Sequence, residues 1–177
     1  RGPAPGLSRC RQAPARAGRY SGRMKTFRSY SEVASCVGQE VAVTDWVEVT
    51  QAQIDRFADA TGDHQWIHVD PQRAAQGPFG TSIAHGFLTL SLLPRFMEAS
   101  FAITGARMGV NYGLNRVRFP APVPVGSRLR AHMVLAAAEP VAPDGMQMTW
   151  EVTLEREGGD KPVCVAEALV RSYGAPA

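Results

Sequence analysis

The sequence predicts an α+β protein in which helices lie against one face of an antiparallel sheet. An amphipathic helix is expected directly after Thr50, and the longest apolar stretch, residues 83–93, predicts a second helix. Beyond Gly105 apolar and polar residues alternate, as they do in half-buried strands. A strand and two helices followed by four consecutive strands is the order of an α+β protein, because a parallel sheet would place a helix between strands.

The amino-terminal elements have local signals. Residues 27–37 predict a short helical or irregular segment, and valines at alternate positions of residues 41–49 predict a strand. Thr50 is a good N-cap, Gln53 completes a capping box with it, and Gly62 is expected to end the helix.

The second helix is the central one of the predicted fold. Residues 71–80 are polar and predict an irregular connection before it, and Thr81 or Ser82 is its expected N-cap. It should run to about Phe101, and because it is apolar on most faces we expect it to be buried. Pro94 should kink it or divide it into two shorter helices.

Four strands are expected after the helices. The first covers residues 108–119 and has a possible bulge at Gly113. The other three are expected at residues 129–135, 146–155 and 163–173.

The size and charge of the chain limit its class. With 177 residues, 45% of them hydrophobic, the chain can form one domain with a core. Residues 1–23 hold six arginines and no acidic residue, so the remaining chain has 13 basic and 16 acidic residues, a net of −3. This balance does not suit a nucleic-acid-binding surface, and basic residues are not interleaved with aromatic ones as such a surface requires.

Residues 1–23 are rich in Pro, Gly, Ala and Arg without apolar periodicity, and we expect them to be a disordered leader. Two interpretations stay open, an organelle transit peptide and an extension that precedes a natural start at Met24.

The location of the protein is expected to be the cytoplasm. No secretory signal is evident, and the longest apolar stretch is too short to span a bilayer, so we expect no membrane partner. Cys10, Cys36 and Cys164 are widely separated and predict neither a disulfide framework nor a thiolate zinc site.

Two motifs carry the candidate chemistry. Residues 62–71 place Asp63 and His68 five positions apart just beyond a helix, and a carboxylate and an imidazole so placed can move protons. Residues 83–88 place Gly86 near the start of the central helix, where a backbone amide can receive a developing negative charge. Together the motifs favour an enzyme over a passive binding protein.

Each of these residues alone also has a structural interpretation. Asp63 can stabilise the turn after the helix, His68 can be a structural histidine, and Gly86 can be a glycine required by close packing. His85 is expected to orient its loop through a hydrogen bond rather than to take part in chemistry. The combination of the residues in one order favours an active site.

A metal site is the competing interpretation of the first motif. His64 and His68 have the HxxxH spacing that places two imidazoles on one helical face. Gln65 stands where a zinc protease of this pattern carries its glutamate, and no third ligand is convincing, so we expect no metal.

Residues 41–170 resemble the MaoC-like family of (R)-specific enoyl-CoA hydratases and dehydratases. The family pattern has Gly-Asp, four residues and His at the end of the first helix, then His-Gly at the start of the central helix. This chain matches it with Gly62-Asp63, His68 and His85-Gly86. It differs at Gln65-Trp66, where the hydratases commonly have Asn-Pro, and at Pro94, where they can have serine.

The resemblance implies a hot-dog fold over residues 24–177, with an antiparallel sheet wrapped around a long central helix. It implies reversible addition of water to an α,β-unsaturated acyl thioester of coenzyme A or acyl carrier protein. Asp63 would be the base, His68 would share the catalytic water, and the Gly86 amide would stabilise the thioester oxygen. Neither a metal nor a redox cofactor is expected, and the protein should be a homodimer or a higher homo-oligomer.

Two alternatives stay open at this point. A thioesterase on the same fold would release the free thiol instead of consuming the double bond. A non-catalytic protein that has kept the pocket would bind acyl thioesters without turnover.

Overall fold

The computed structural model describes residues 24–175, so the expected leader of residues 1–23 lies outside the described residues. In chain order the elements are β1 (Lys25–Phe27), α1 (Tyr30–Ala34), β2 (Glu40–Val43), β3 (Val47–Glu48), α2 (Gln51–Thr61), α3 (Trp66–Val69), α4 (Pro71–Ala75), α5 (Gly86–Ser91), α6 (Leu93–Ser100), β4 (Phe101–Ile103), β5 (Met108–Arg118), β6 (Arg128–Val141), β7 (Gly145–Arg156) and β8 (Cys164–Tyr173).

The main sheet has six strands, and it confirms the predicted α+β class. Its order is β2, β6, β7, β8 and β5, with β3 beside β2 on β6, and the neighbouring strands are antiparallel. A separate parallel pair joins β1 to β4. Strand β4, which follows the last helix, is therefore hydrogen-bonded to the first strand of the described residues.

The core lies between one sheet face and the helices. Side chains at alternate positions of β6 and β7 are buried, as the period of two predicts. The largest of them are Leu129, Met133, Leu135, Met148, Trp150 and Leu154. Phe101 stacks on Trp150 with 4.9 Å between the ring centroids, so the end of the helical region packs on the middle of the sheet.

Helix α2 forms as the sequence predicted. The Thr50 side chain accepts from the Gln53 N–H, and the Gln53 side chain accepts from the Thr50 N–H, which is the reciprocal capping box. Gly62 ends the helix in the left-handed region at φ 77°, where a glycine has no Cβ to clash.

The central helix begins later than the sequence predicted. Its N-cap is His85 rather than Thr81 or Ser82, because residues 82–84 are not helical and bond to other chain segments, with Ile83 in an isolated bridge to Pro124. The Ile83 N–H donates to the Ile67 carbonyl, and the Ala84 N–H donates to the Val123 carbonyl.

Pro94 divides the central helix, which is the second of the two outcomes expected from it. Helix α5 ends at Ser91 with Leu92 as its C-cap, and Pro94 lies in the first turn of α6, where a missing N–H costs nothing. The two helices are buried on one side rather than all round, since Leu88, Phe96 and Met97 face the core while Phe87 is 68% exposed.

Further differences concern short elements. The strand expected at residues 41–49 is divided into β2 and β3, and the connection expected at residues 71–80 begins with α4. The bulge expected at Gly113 is present, because the register of β5 against β8 shifts between Asn111 and Gly113. None of the helices among residues 24–175 has the length and hydropathy needed to cross a membrane.

Strand β5 lies at the edge of the sheet and is exposed on both faces. It pairs with β8 along one side over 11 residues. Its exposed apolar side chains are Met108, Val110, Tyr112 and Leu114. A long apolar edge strand is a surface that proteins normally cover.

Candidate active site

Asp63 is placed by the end of α2. The left-handed Gly62 closes the helix with its N–H bonded to the Ala58 carbonyl, and the chain then leaves the helix axis. The Asp63 side chain is 59% exposed, so the carboxylate is open to solvent in the single chain. It is therefore free to meet a small molecule from outside.

His68 lies on the four-residue helix α3 and is buried. Its Nδ1 lies 2.6 Å from the Ile83 carbonyl oxygen, so Nδ1 carries the hydrogen and Nε2 is the acceptor in the neutral ring. Gln51 of α2 donates to the His68 carbonyl at 2.7 Å and fixes the main chain. Burial lowers the pKa of His68, the Ile83 carbonyl opposes this, and the nearby His85 lowers the pKa further.

His85 contacts both of these residues. Its Nε2 lies 2.9 Å from the Asp63 carbonyl oxygen and 3.9 Å from the Asp63 Oδ2. Its ring stacks on the His68 ring, with centroids 3.7 Å apart and an angle of 25° between the planes. The expectation that His85 makes an orienting hydrogen bond is met, but the sequence did not predict the stacking on His68.

The structure therefore brings the two predicted motifs together. A carboxylate oxygen of Asp63, a ring nitrogen of His68 and a ring nitrogen of His85 all lie within 4.8 Å of one another. Asp63 follows the end of α2, His68 lies on α3, and His85 precedes α5. The segments that carry the two histidines are joined because the Ile83 backbone is hydrogen-bonded to both Ile67 and His68.

Gly86 is the first residue of α5, directly after this cluster. Among the described residues its N–H has no hydrogen-bond acceptor, as is usual for the first turn of a helix. A Cβ at this position would lie 2.9 Å from Cδ2 and 3.1 Å from Cγ of the Phe119 ring. Close packing thus requires glycine here, and the amide remains available to a ligand.

The HxxxH histidines do not meet. His64 is exposed and pairs with Asp59, its Nε2 lying 3.0 Å from Oδ1, and this hydrogen bond raises the pKa of His64. The rings of His68 and His85 are stacked. Because the nitrogen lone pairs lie in the ring planes, stacked imidazoles do not direct them at one ion.

A cavity of about 360 Å³ lies between the central helices and the sheet. Its walls include Leu90, Leu93 and Met97 of α5 and α6, and Leu114 and Leu169 of β5 and β8. Leu90 lies about one helical turn beyond Gly86, but the lining includes none of Asp63, His68, His85 and Gly86. The lining is mostly apolar, and its size is in the range of small-molecule sites.

Comparisons with known proteins agree with this architecture. The family model described as MaoC like domain matches residues 32–157. The 3-hydroxyacyl-thioester dehydratase Z of Mycobacterium tuberculosis is 55% identical over 148 residues, which cover 84% of this chain and 98% of that protein. Nodulation protein N of Rhizobium leguminosarum bv. viciae is 48% identical over 140 residues, with 78% of this chain and 87% of that protein covered.

Among solved structures, the unliganded R-hydratase of Pseudomonas aeruginosa matches with a TM-score of 0.63 at 24% identity, over 85% of this chain and 88% of that one. This likeness shows the fold, which is the hot-dog fold that the sequence resemblance implied. The chain belongs to the MaoC-like family.

Proposed function

We propose that the protein is a hydro-lyase that adds water to α,β-unsaturated acyl thioesters and, in reverse, dehydrates (R)-3-hydroxyacyl thioesters. The observation that carries the proposal is the meeting of the Asp63 carboxylate with the His68 imidazole, close to the Gly86 amide, which has no acceptor in the described part of the chain. A relative with 55% identity is named a 3-hydroxyacyl-thioester dehydratase, which supports the same reaction.

In the hydration direction Asp63 is the general base. It accepts a proton from water while the water oxygen bonds to the β carbon of the substrate. His68 accepts a hydrogen bond from the same water at Nε2, because its Nδ1–H is committed to Ile83. The two side chains then relay one proton to the α carbon, so that a hydrogen and a hydroxyl are added and the thioester bond stays intact.

The other requirement of this reaction is a group that stabilises the negative charge developing on the thioester oxygen. The electron pair of the double bond moves toward that oxygen as water attacks. The Gly86 N–H is the proposed donor that stabilises it, since the amide has no hydrogen-bond acceptor among residues 24–175.

The acyl chain is proposed to occupy the apolar cavity whose lining includes Leu90, which lies about one turn beyond Gly86 on α5. The carrier is coenzyme A or acyl carrier protein. Addition of water is neither an oxidation nor a reduction, and two side chains and one amide supply the acid–base and electrostatic functions. We therefore propose that the reaction needs no metal and no redox cofactor.

We also propose that the protein is a homodimer in the cytoplasm. The exposed edge of β5 and its apolar side chains support pairing with a second copy, because a sheet extended across two chains satisfies the free backbone groups of the edge. Cys36 and Cys164 are buried free thiols, which supports a reducing compartment.

The experiment is an assay of enoyl-CoA hydration with crotonyl-CoA and longer substrates, read as loss of the conjugated double bond. Asp63→Asn and His68→Gln should each lower kcat/KM by on the order of 100- to 10,000-fold, the usual contribution of a positioned acid–base group. The proposal is rejected if the wild type hydrates none of these substrates or if both variants keep the wild-type rate.

Asp59 and His64 provide a matched control, because they form an aspartate–histidine pair with the same spacing but on the exposed surface. Asp59→Asn and His64→Gln should keep the wild-type rate. Release of free thiol with the double bond retained would instead identify a thioesterase.

A further inference from the structure

His85 is the one member of the cluster that the proposed reaction does not use. The residue is 3% exposed, which is more buried than His68, and it lies next to the proposed oxyanion donor Gly86. A buried imidazole at this place has a cost that an apolar side chain would avoid, so its contacts indicate what it does.

The first contact is with the main chain of Asp63. The Nε2–H of His85 donates to the Asp63 carbonyl at 2.9 Å, and Nδ1 has no partner among the described residues. The side chain does not cap its own helix, although His85 is the N-cap residue of α5. The hydrogen bond thus links the loop that carries the base to the start of the helix that carries the oxyanion donor.

The second contact is with the ring of His68. At 3.7 Å between centroids, a positive charge on one imidazole opposes a positive charge on the other. The remaining groups at the His85 ring are the Asp63 carboxylate at 3.9 Å and the uncharged Phe57 of α2, with centroids 5.0 Å apart. Helix α5 itself has no titratable side chain.

We propose that His85 is a positioning residue that holds Asp63 against α5 and, through the stacked ring, keeps His68 neutral and ready to accept a hydrogen bond from water. The hydrogen bond to Asp63 sets the position of the base, and the stacking on His68 affects the protonation of that ring. The inference rests on the proposed function for its effect on turnover, but its effect on His68 is measurable without any substrate.

Two substitutions separate the parts. His85→Phe keeps a flat ring against His68 but removes the donor to Asp63 and both imidazole nitrogens. His85→Gln keeps an amide N–H that can replace the donor but removes the ring. Because a small displacement of a catalytic group is costly, we expect kcat/KM to fall by about 10- to 100-fold in His85→Phe and by less in His85→Gln.

The protonation of His68 is read by NMR titration of the imidazole signals. The chain has four histidines, so single substitutions assign each signal. Because His85 lowers the pKa of His68, the midpoint of the His68 titration should move to higher pH in both variants, and the acidic limb of kcat/KM should move with it. His132→Gln is the control, since His132 lies on the face of β6 opposite the core and pairs with Glu40.

The outcomes are distinct. A His68 midpoint that stays at the wild-type value in folded variants overturns the protonation role, and unchanged turnover in His85→Phe overturns the positioning role. If neither variant folds, the wild type decides, because a His68 midpoint at or above the ordinary 6.5 overturns the protonation role. A wild type without hydratase activity rejects the proposed function but leaves the His68 measurement decisive for His85.

Discussion

At the scale of the residue, the chemistry of the site depends on which side-chain atoms are already hydrogen-bonded within the protein. The sequence proposed Asp63, His68 and Gly86 as site residues, and the structure places the Asp63 and His68 side chains close together. The sequence could not predict that Ile83 takes the Nδ1–H of His68. That bond joins residues 15 positions apart, and only the folded chain shows which nitrogen is free.

Gly86 leads to a prediction about packing. Gly86→Ala adds a Cβ that collides with the Phe119 ring, so the free energy of unfolding should fall by about 1–3 kcal/mol, as for other overpacked sites. Urea unfolding measures this loss. In the double variant with Phe119→Ala the collision is absent, and the cost of the added methyl group should largely disappear when Phe119→Ala alone is the reference. An equal cost in both backgrounds would show that Phe119 is not the obstacle.

His68 leads to a prediction about pH. Because burial lowers the pKa of His68 below the ordinary 6.5, the unfolded chain binds a proton that the folded chain does not bind in the window below 6.5. The contribution of His68 to stability should therefore fall as the pH drops through that window and be constant above it.

The measurement compares the wild type with His68→Gln in urea unfolding over this range of pH. The comparison is needed because His64 acts in the opposite sense, since its pKa is raised by Asp59. A stability difference that does not change with pH, or that grows as the pH falls, would contradict the assignment.

At the scale of the element, sequence patterns worked where an element is long or has a complete cap. Helix α2 carries both halves of a capping box and was placed correctly. The start of the central helix was not, because Ser82 resembles an N-cap but lies in a segment whose backbone bonds to other chain segments. Helices α3 and α4 are too short to show a helical period, although Asp70 followed by Pro71 is an N-cap signal that marks the start of α4.

The capping box predicts a stability effect. Thr50→Ala removes the acceptor of the Gln53 N–H and should lower the free energy of unfolding by about 1 kcal/mol. Thr50→Ser keeps the hydroxyl and should retain most of the stability. Chemical denaturation of both variants checks this, and an equal loss in the two would mean that the methyl group rather than the cap matters.

At the scale of the whole molecule, the main sheet ends at an exposed edge strand, β5. The order of strands could not be predicted from the sequence, since β5 pairs with β8 across the two strands that separate them in the chain. The pairing leaves β5 at the edge with its apolar side chains exposed. We propose a second copy of the chain as the partner of this edge.

If the protein dimerises through β5, charged substitutions on this strand should lower its molecular mass in solution. The double variant Met108→Lys, Val110→Lys places two positive charges on β5, and it should convert a dimer into a monomer in light scattering or sedimentation. Val37→Lys alters a similarly exposed apolar residue away from the edge and should stay dimeric. A wild type that is monomeric at assay concentrations would contradict the proposed assembly.

The central claim is that Asp63, His68 and Gly86 add water across the double bond of an acyl thioester, and one measurement tests it most directly. The protein is incubated with an enoyl-CoA in water labelled with heavy oxygen, and the products are analysed by mass spectrometry. The account predicts one labelled hydroxyl at the β carbon of an intact thioester, formed by the wild type and lost in Asp63→Asn. Label in a released carboxylate, or no label in any product, would contradict it.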